Sequence, residues 1–304
     1  MTRRHHPWRA PPTSETLPAS TGRATEASHL IVSGEHALEA CTHAFARAPR
    51  EAALFCDIDG TISPIASRPA DAVVPSRFHD LLAALRDRVG LLVFVTGRRS
   101  EDGRRLIPLD GTTYVGAHGL ELMDDGRTVQ TEPLAEHYVA DVQAIAAIAA
   151  RNLDQHRLGI VLEDKRTVLA IHYRLAPDAS ATRHEILRKV VEPARARGLA
   201  ISTGHCAFEV RPPLPFTKGT AIRRLLDAGA YHVALTLGDD LTDVTGFRAI
   251  HEWGERDGRR SAYALAAVTA ETPEAVSVEA DIVVAATPGV AEALTRLQRA
   301  LDLR

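Results

Sequence analysis

The chain has 304 residues, a formal net charge of −3 and 45% hydrophobic residues. That length can bury a substantial core and suffices for two lobes, while the mixed charge argues against nucleic acid or an anionic membrane surface as a partner. The three cysteines, at 41, 56 and 206, have no metal-ligand spacing and suggest no disulfide framework, and no apolar run is long enough to cross a bilayer, so a reducing, cytoplasmic setting is expected.

Residues 1–33 are rich in Pro, Thr, Ser and Arg without apolar periodicity and read as a disordered tail. Arg3-Arg4 lacks the apolar segment that an export signal would place after it. From Glu35 to Ala48, the residues Leu38, Cys41 and Phe45 recur on one side of a helix. The run Leu54-Phe55-Cys56 then ends in Asp57-Ile58-Asp59-Gly60-Thr61. A buried parallel strand that stops there sets Asp57 and Asp59 at its carboxyl end, where open α/β sheets build their sites. Strand alternation turns both side chains the same way. Two carboxylates that close repel, so they need a cation, a shared proton or separate tasks. Asp and Gly are also ordinary turn residues, and this run alone does not decide between the readings.

Phe78, Leu81, Leu82, Leu85 and Val89 repeat at helical spacing, opened by Pro75-Ser76 and closed by Gly90. A strand over 91–95 follows and ends in Thr96-Gly97-Arg98. This β-α-β order implies a right-handed crossover and a parallel sheet. Over about 119–210 the pattern changes: strand-like runs at 159–163, 168–174 and 200–210 mix with helical segments at 134–151 and 179–197. After residue 212 the alternation returns. Lys218-Gly219 opens a helix through Ile222, Leu225 and Leu226, and a strand over 232–237 ends in Gly238-Asp239-Asp240, with Asp243 shortly after. Strands near 263–268 and 282–285 and a helix through Val290, Leu294, Leu297 and Leu301 complete the chain. The expected fold is α/β: a doubly wound parallel-sheet, Rossmann-like hydrolase core at 34–118 and 212–304, with an inserted α+β cap at 119–211.

Three apolar runs thus finish in the polar groups that a phosphoryl-transfer site needs. Asp57-Ile58-Asp59-Gly60-Thr61, Thr96, Lys218 and Gly238-Asp239-Asp240-x-x-Asp243 occur in the order of the four motifs of haloacid-dehalogenase-type phosphatases, which the chain resembles. Over roughly residues 50–300 it is similar to trehalose-6-phosphate phosphatases in particular. The matching segments include Thr96-Gly97-Arg98, His118-Gly119-Leu120-Glu121, Glu163-Asp164-Lys165, His172-Tyr173-Arg174 and Glu209-Val210-Arg211-Pro212. Ala117 stands where that family usually has Asn, Val244 where it has Glu, and Thr96 where Ser is common.

The resemblance implies a Mg²⁺-dependent hydrolase of a phosphate ester, with trehalose 6-phosphate as the expected substrate. Asp57 is the expected nucleophile, forming an aspartyl-phosphate, and Asp59 the acid that protonates the departing oxygen and then deprotonates water. Asp57, the backbone carbonyl of Asp59 and Asp239 are the expected metal ligands, with Asp243 behind them; Asp240 reads equally as metal support or as a helix cap. Thr96 and Lys218 complete the catalytic set, and Thr61 is expected on phosphoryl oxygens. Gly97, Arg98, His118, Glu121, Lys165 and Glu209 are the expected substrate contacts, because sugar hydroxyls want carboxylates beside cationic donors. Arg98, Arg174 and Arg211 read nearly as well as core–cap ion pairs. The expected partner is a small sugar phosphate, with functional coupling to a separate synthase chain and neither nucleic acid nor membrane. The rival readings are a phosphatase for another sugar phosphate, a phosphomutase and a non-catalytic binding protein.

Overall fold

The computed structural model describes residues 27–125, 128–204 and 206–303. The tail expected over 1–33 lies outside these up to residue 26. Its remainder belongs to a helix, Ala27–Arg47, which starts ahead of the expected Glu35. No Gly or Pro falls between Ala27 and Ser33 to stop a helix that the Leu38, Cys41 and Phe45 stripe anchors further on.

Eight strands form the larger sheet. In chain order they are β1 (Ala52–Cys56), β2 (Leu91–Val95), β3 (Thr113–Gly116), β4 (Glu121–Asp124) and β5 (Thr128–Thr131). Four further strands, β6 (Val161–Asp164), β7 (Leu169–His172), β8 (Ala200–Gly204) and β9 (Ala207–Arg211), form a separate sheet. The large sheet resumes with β10 (Val233–Gly238), β11 (Ser261–Val268) and β12 (Ile282–Ala285). Its order is β12-β11-β10-β1-β2-β3-β4-β5, parallel from β12 to β3 and antiparallel at the β4–β5 edge.

β1 and β10 at its centre are buried throughout, as strands covered on both faces must be. Leu54 and Cys56 face one core with Phe45, Phe78 and Leu294, while Ala53 and Phe55 face another with Ile222, Phe247 and Trp253. Period-two alternation thus divides the β1 side chains between two helical layers. The register pairs Cys56 with Leu237 and with Phe94, so β1, β2 and β10 end together.

Two expectations change. Residues 121–131, assigned to the inserted lobe, extend the large sheet instead: the chain reverses at Gly119 (φ +105) and pairs Glu121 with Gly116. The run 200–210 is not one strand but the β8–β9 pair, with Gly204 opposite Ala207. Gly204 supplies no side chain to pack and ends β8. The small sheet, β6-β7-β9-β8, is antiparallel and carries its own core, including Val142, Ile145, Ile171, Val190 and Phe208. The helices Val139–Asn152 and Ala179–Ile186 contribute to that core.

Candidate active site

The common end of β1, β2 and β10 brings together residues far apart in sequence. Asp57 follows β1 and is 4% exposed. Lys218 opens the helix Lys218–Ala228, whose start is fixed by reciprocal hydrogen bonds between Thr217 and Thr220. Its Nζ donates to Asp57 Oδ1 at 2.6 Å and to Asp243 Oδ1 at 2.8 Å. Asp243 Oδ2 accepts the backbone N–H groups of Asp239 (3.3 Å) and Asp240 (3.2 Å). Asp243 is therefore engaged on both oxygens. Thr61 Oγ1 donates to Asp57 Oδ2 at 3.1 Å and reaches Asp239 Oδ1 at 3.4 Å. Gly60 has φ +86, and a Cβ there would lie 1.9 Å from Asp239 Oδ2. Only glycine permits the chain to leave β1 so close to that carboxylate.

Crowding sets the electrostatics. Burial, with Asp243 and Asp59 nearby, pushes Asp57 up to about 7 against the pull of Lys218. Burial followed by Asp57 and Asp243 pushes Asp239 up to about 10. Burial works against the Lys218 charge, but Asp243 and Asp57 outweigh it and hold its pKa above the ordinary lysine value. Carboxylate oxygens of Asp57, Asp239 and Asp243 all lie within 4.8 Å of one another. This all-oxygen set with too little positive charge fits a hard divalent cation such as Mg²⁺. Asp57 and Asp239 would hold it, with Asp243 fixing the loop beneath.

A cleft of about 230 Å³ opens over these groups and is lined by both sheets. From the segments that follow β1, β2, β3 and β10 come Asp57, Asp59, Arg98, His118 and Asp239, and from the helix start Lys218. From the small sheet come Glu163, Lys165, His172, Arg174, Ser202 and Glu209. Asp59 is held by Arg98 through two bonds, Nε to Oδ2 at 2.6 Å and Nη2 to Oδ1 at 2.7 Å. Thr96 Oγ1 accepts the Arg98 backbone N–H at 3.1 Å. Gly97 leaves room for the His118 ring, whose Cε1 a Cβ would meet at 2.5 Å. His118 Nε2 lies 2.9 Å from Glu209 Oε2, and Lys165 Nζ donates to Glu209 Oε1 at 3.0 Å. Burial opposes the Glu209 charge, yet His118 and Lys165 hold its pKa well below the usual carboxylate range. Glu163 accepts from His172 at 2.9 Å and lies 3.6 Å from Lys165. Burial raises Glu163, but Lys165, His172 and Arg98 together bring it to about 2. The small-sheet lobe thus presents alternating anions and cations, Lys165 buried and Glu163, His172 and Glu209 partly buried.

Not every expected residue reaches the cleft. Glu121 is 2% exposed on β4, and its Oε2 accepts the backbone N–H (2.8 Å) and hydroxyl (3.0 Å) of Ser100 at the start of the helix Ser100–Leu106. It supports a helix end instead of a substrate, because β4 belongs to the large sheet. Arg211 donates to the Phe216 carbonyl and lies away from the cleft lining. Arg174 pairs with Glu271 at 3.1 Å across the cleft. Asp240 both borders the cleft and caps the helix Leu241–Glu255, accepting from Leu241 N at 2.7 Å. Ala117 (φ +46) and Val244 are buried in apolar clusters and line no part of the cleft. Sequence reasoning did not single out Ser202, Thr269, Glu271 or Thr272, all of which line it. Glu163 was within reach, since it sits two positions before Lys165 on the same strand face.

The family model described as trehalose-phosphatase matches residues 55–274. A probable trehalose-phosphate phosphatase of Sinorhizobium fredii is 32% identical over 206 residues, covering 66% of this chain and 75% of that one. A trehalose-phosphate phosphatase of Mycobacterium marinum is 34% identical over 245 residues, 74% of this chain and 59% of the relative. An uncharacterized glycosyl hydrolase of Mycobacterium tuberculosis is 33% identical over 231 residues, and the match spans only 17% of that longer protein. Among solved structures, the C-terminal domain of the Candida albicans trehalose-6-phosphate phosphatase superimposes with a TM-score of 0.70 at 21% identity, covering 86% of this chain and 96% of that one. A trehalose-6-phosphate phosphatase related protein gives 0.67 at 23% identity, with coverage of 81% and 97%. These two likenesses show the fold.

Proposed function

This chain belongs to the trehalose-phosphatase family, and from that premise we propose that it hydrolyses trehalose 6-phosphate to trehalose and phosphate. The observation that carries the reading is one cleft with two chemistries: a carboxylate–lysine–carboxylate cluster at the end of the large sheet, and a partly buried polar network on the small-sheet lobe. The first suits a phosphoryl group and the second the hydroxyls of a sugar. The small-sheet lobe is taken as the cap and the large sheet as the phosphatase core.

Mg²⁺ bound at Asp57 and Asp239 would offset the negative charge of phosphoryl oxygens. The Asp59 carbonyl completes the proposed ligand set. Asp57 attacks phosphorus, forming an Asp57–phosphoryl bond as the ester bond breaks. Lys218 holds Asp57 Oδ1 in position and adds positive charge beside the transferred oxygens. Thr61, and Thr96 at the end of β2, fix the loops around the phosphoryl group. Asp59 gives its proton to the departing sugar oxygen, then takes one from the water that cleaves the phosphoaspartate. Gly97 and Arg98 would meet the phosphoryl end and His118, Lys165 and Glu209 the sugar, a reading supported by their place in one cleft lining.

No described helix is long and apolar enough to cross a membrane. The free thiols of Cys41, Cys56 and Cys206 support a reducing cytoplasmic location, where a separate synthase chain would supply the substrate. Phosphate release from a panel of sugar phosphates, with and without Mg²⁺, tests the proposal. Trehalose 6-phosphate should be the best substrate and should need the metal. Preference for another sugar ester would move the substrate assignment, and conversion without free phosphate would replace hydrolysis with a mutase reaction.

A further inference from the structure

The chain crosses between the two sheets twice. It leaves the large sheet after β5 through Glu132 and the short helix Pro133–Glu136, and it returns from β9 through residues 212–217 to the helix Lys218–Ala228. One side chain touches both crossings. Arg224, on the returning helix, donates from Nη1 to Glu132 Oε2 at 3.0 Å, and its guanidinium carbon lies 4.6 Å from the centre of the Phe216 ring. The ion pair is largely shielded, with 18% of the Arg224 and 9% of the Glu132 side chain exposed, so salt and water weaken it much less than a pair in open solvent. Around it Ala117 and Leu120, which flank the end of β3, pack with Ala135 and Phe216 of the crossings and with Val168, which precedes β7. This apolar cluster is separate from the cores of both sheets.

The seam is connected to both walls of the cleft. Arg224 shares its helix with Lys218, which holds Asp57. On the other side, the Val168 carbonyl accepts the Lys165 backbone N–H at 2.8 Å. Arg211 donates to the Phe216 carbonyl and lies on β9 with Glu209, on the same strand face. Arg224, Glu132 and Phe216 themselves line no part of the cleft. We propose that Arg224 is a positioning residue: by gripping both crossings it fixes the small-sheet lobe over the large sheet, and so places Lys165 and Glu209 relative to Asp57 and Lys218. The inference rests on the phosphatase reading and deepens it, because it names what lets sugar contacts on one wall align the ester on the other. A pivot amplifies: slack at the seam becomes a larger displacement at the cleft, and ~1 Å there can cost ~100-fold in rate. A phosphate ester without a sugar does not use the lobe and should not feel the slack.

Two substrates read this directly. Arg224→Gln should lower the ratio of kcat/KM for trehalose 6-phosphate to that for 4-nitrophenyl phosphate by ~10–100-fold, while the aryl ester keeps most of its rate. Glu132→Gln should lower the ratio in the same direction and covers the case in which Arg224→Gln does not fold. The double variant should be no worse than the poorer single variant, since one contact is lost only once. Arg224→Lys, which keeps a cation for Glu132 and for the Phe216 ring, should retain most of the ratio. Glu121→Ala is the control: it removes a buried contact at Ser100, away from the crossings, and should cost stability without moving the ratio.

An unchanged ratio in the folded single variants would overturn the proposal, leave the phosphatase reading intact and make Arg224 a stabilising residue only. Equal losses on both esters would overturn it as well, because the effect would then run through Lys218 and not through the lobe. Additive losses in the double variant would have the same consequence, since Arg224 and Glu132 would then act separately. If another sugar phosphate proves the best substrate, that ester takes the place of trehalose 6-phosphate in the ratio and decides the matter in the same way. If the wild type releases phosphate from no ester with Mg²⁺, the phosphatase reading falls first and this proposal with it.

Discussion

Lys218 and Asp57 are 161 positions apart, yet Lys218 Nζ lies 2.6 Å from Asp57 Oδ1, with both side chains almost fully buried. A buried carboxylate and ammonium tolerate each other only with good geometry and further hydrogen bonds, which Thr61 and Asp243 supply here. Asp57→Asn keeps the shape and leaves Lys218 paired with Asp243. Turnover of trehalose 6-phosphate should fall on the order of 10⁴-fold or more, as for loss of a nucleophile, while far-UV circular dichroism stays native. Turnover within tenfold of wild type would remove Asp57 from the chemistry.

Among the described residues no side-chain cation pairs directly with Asp239, and burial with Asp57 and Asp243 nearby pushes its pKa up to about 10 from an unfolded value near 3.8, against the more distant Lys218. The folded state therefore holds this proton over a pH window in which the unfolded chain has lost it. Metal-free stability should fall as pH rises from about 4 toward about 10. Asp239→Asn removes that penalty, so the metal-free variant should melt higher than wild type at pH 8, by a few degrees. Mg²⁺ should raise the melting temperature of the wild type and have little effect on the variant. Calorimetry in chelator and in excess Mg²⁺ checks both statements, and equal Mg²⁺ stabilisation of the two proteins would exclude Asp239 as a ligand.

Gly60→Ala would set a methyl group 1.9 Å from Asp239 Oδ2 at a backbone φ of +86. Either the loop or the carboxylate must move. A left-handed alanine alone costs about 1–2 kcal/mol, which a globular fold of this size should tolerate. Activity should suffer far more than stability: a loss of ~100-fold in kcat/KM and a higher Mg²⁺ concentration for half-maximal activity are expected, since a displacement of ~1 Å near the chemistry has that scale. Titrating activity against Mg²⁺ separates this from simple unfolding.

Much of this site was legible because three apolar runs each stop at a polar cluster, and parallel strands stop at one edge. Asp57, Thr96 and Asp239 needed no knowledge of tertiary contacts beyond that rule, whereas Lys218, at a helix start, was legible only through the family resemblance. Glu121 misled for the opposite reason. It follows His118-Gly119 closely in sequence, but the chain reverses at Gly119 and carries Glu121 onto β4, under the helix Ser100–Leu106. Nothing in the alternation of residues 121–131 distinguishes an edge of the large sheet from a strand of the small one; pairing with β3 decides it. Thr269, Glu271 and Thr272 were silent, since only the placement of β11 beside β10 brings their loop to the cleft.

Glu121→Ala should accordingly be a stability variant. It leaves the Ser100 N–H without its acceptor in the interior, a loss of about 1–3 kcal/mol. At temperatures where the variant remains folded, KM for trehalose 6-phosphate should match the wild type. Urea unfolding with parallel kinetics checks this, and a raised KM at unchanged stability would return Glu121 to the substrate site.

Glu209 and Lys165 carry the opposite expectation. Glu209 gathers His118, Lys165 and Ser202 around one carboxylate at the cleft wall, and Lys165 is 4% exposed beneath it. A disaccharide ester can exchange its hydroxyls into this network, so that remote binding energy aligns the phosphoryl group over Asp57. An aryl phosphate cannot. Glu209→Gln and Lys165→Ala should therefore lower kcat/KM for trehalose 6-phosphate by on the order of 10–1,000-fold, at ~1.4 kcal/mol per tenfold. 4-Nitrophenyl phosphate should lose much less. The depressed Glu209 pKa adds a second readout: its stabilisation is present above the unfolded value of 4.5 and is lost as pH falls toward the folded value. Glu209→Gln should consequently narrow the stability difference from wild type as the solution is acidified below about pH 4. Equal losses on both substrates would make these residues supports for the core, and no loss on either would remove the small-sheet lobe from sugar recognition.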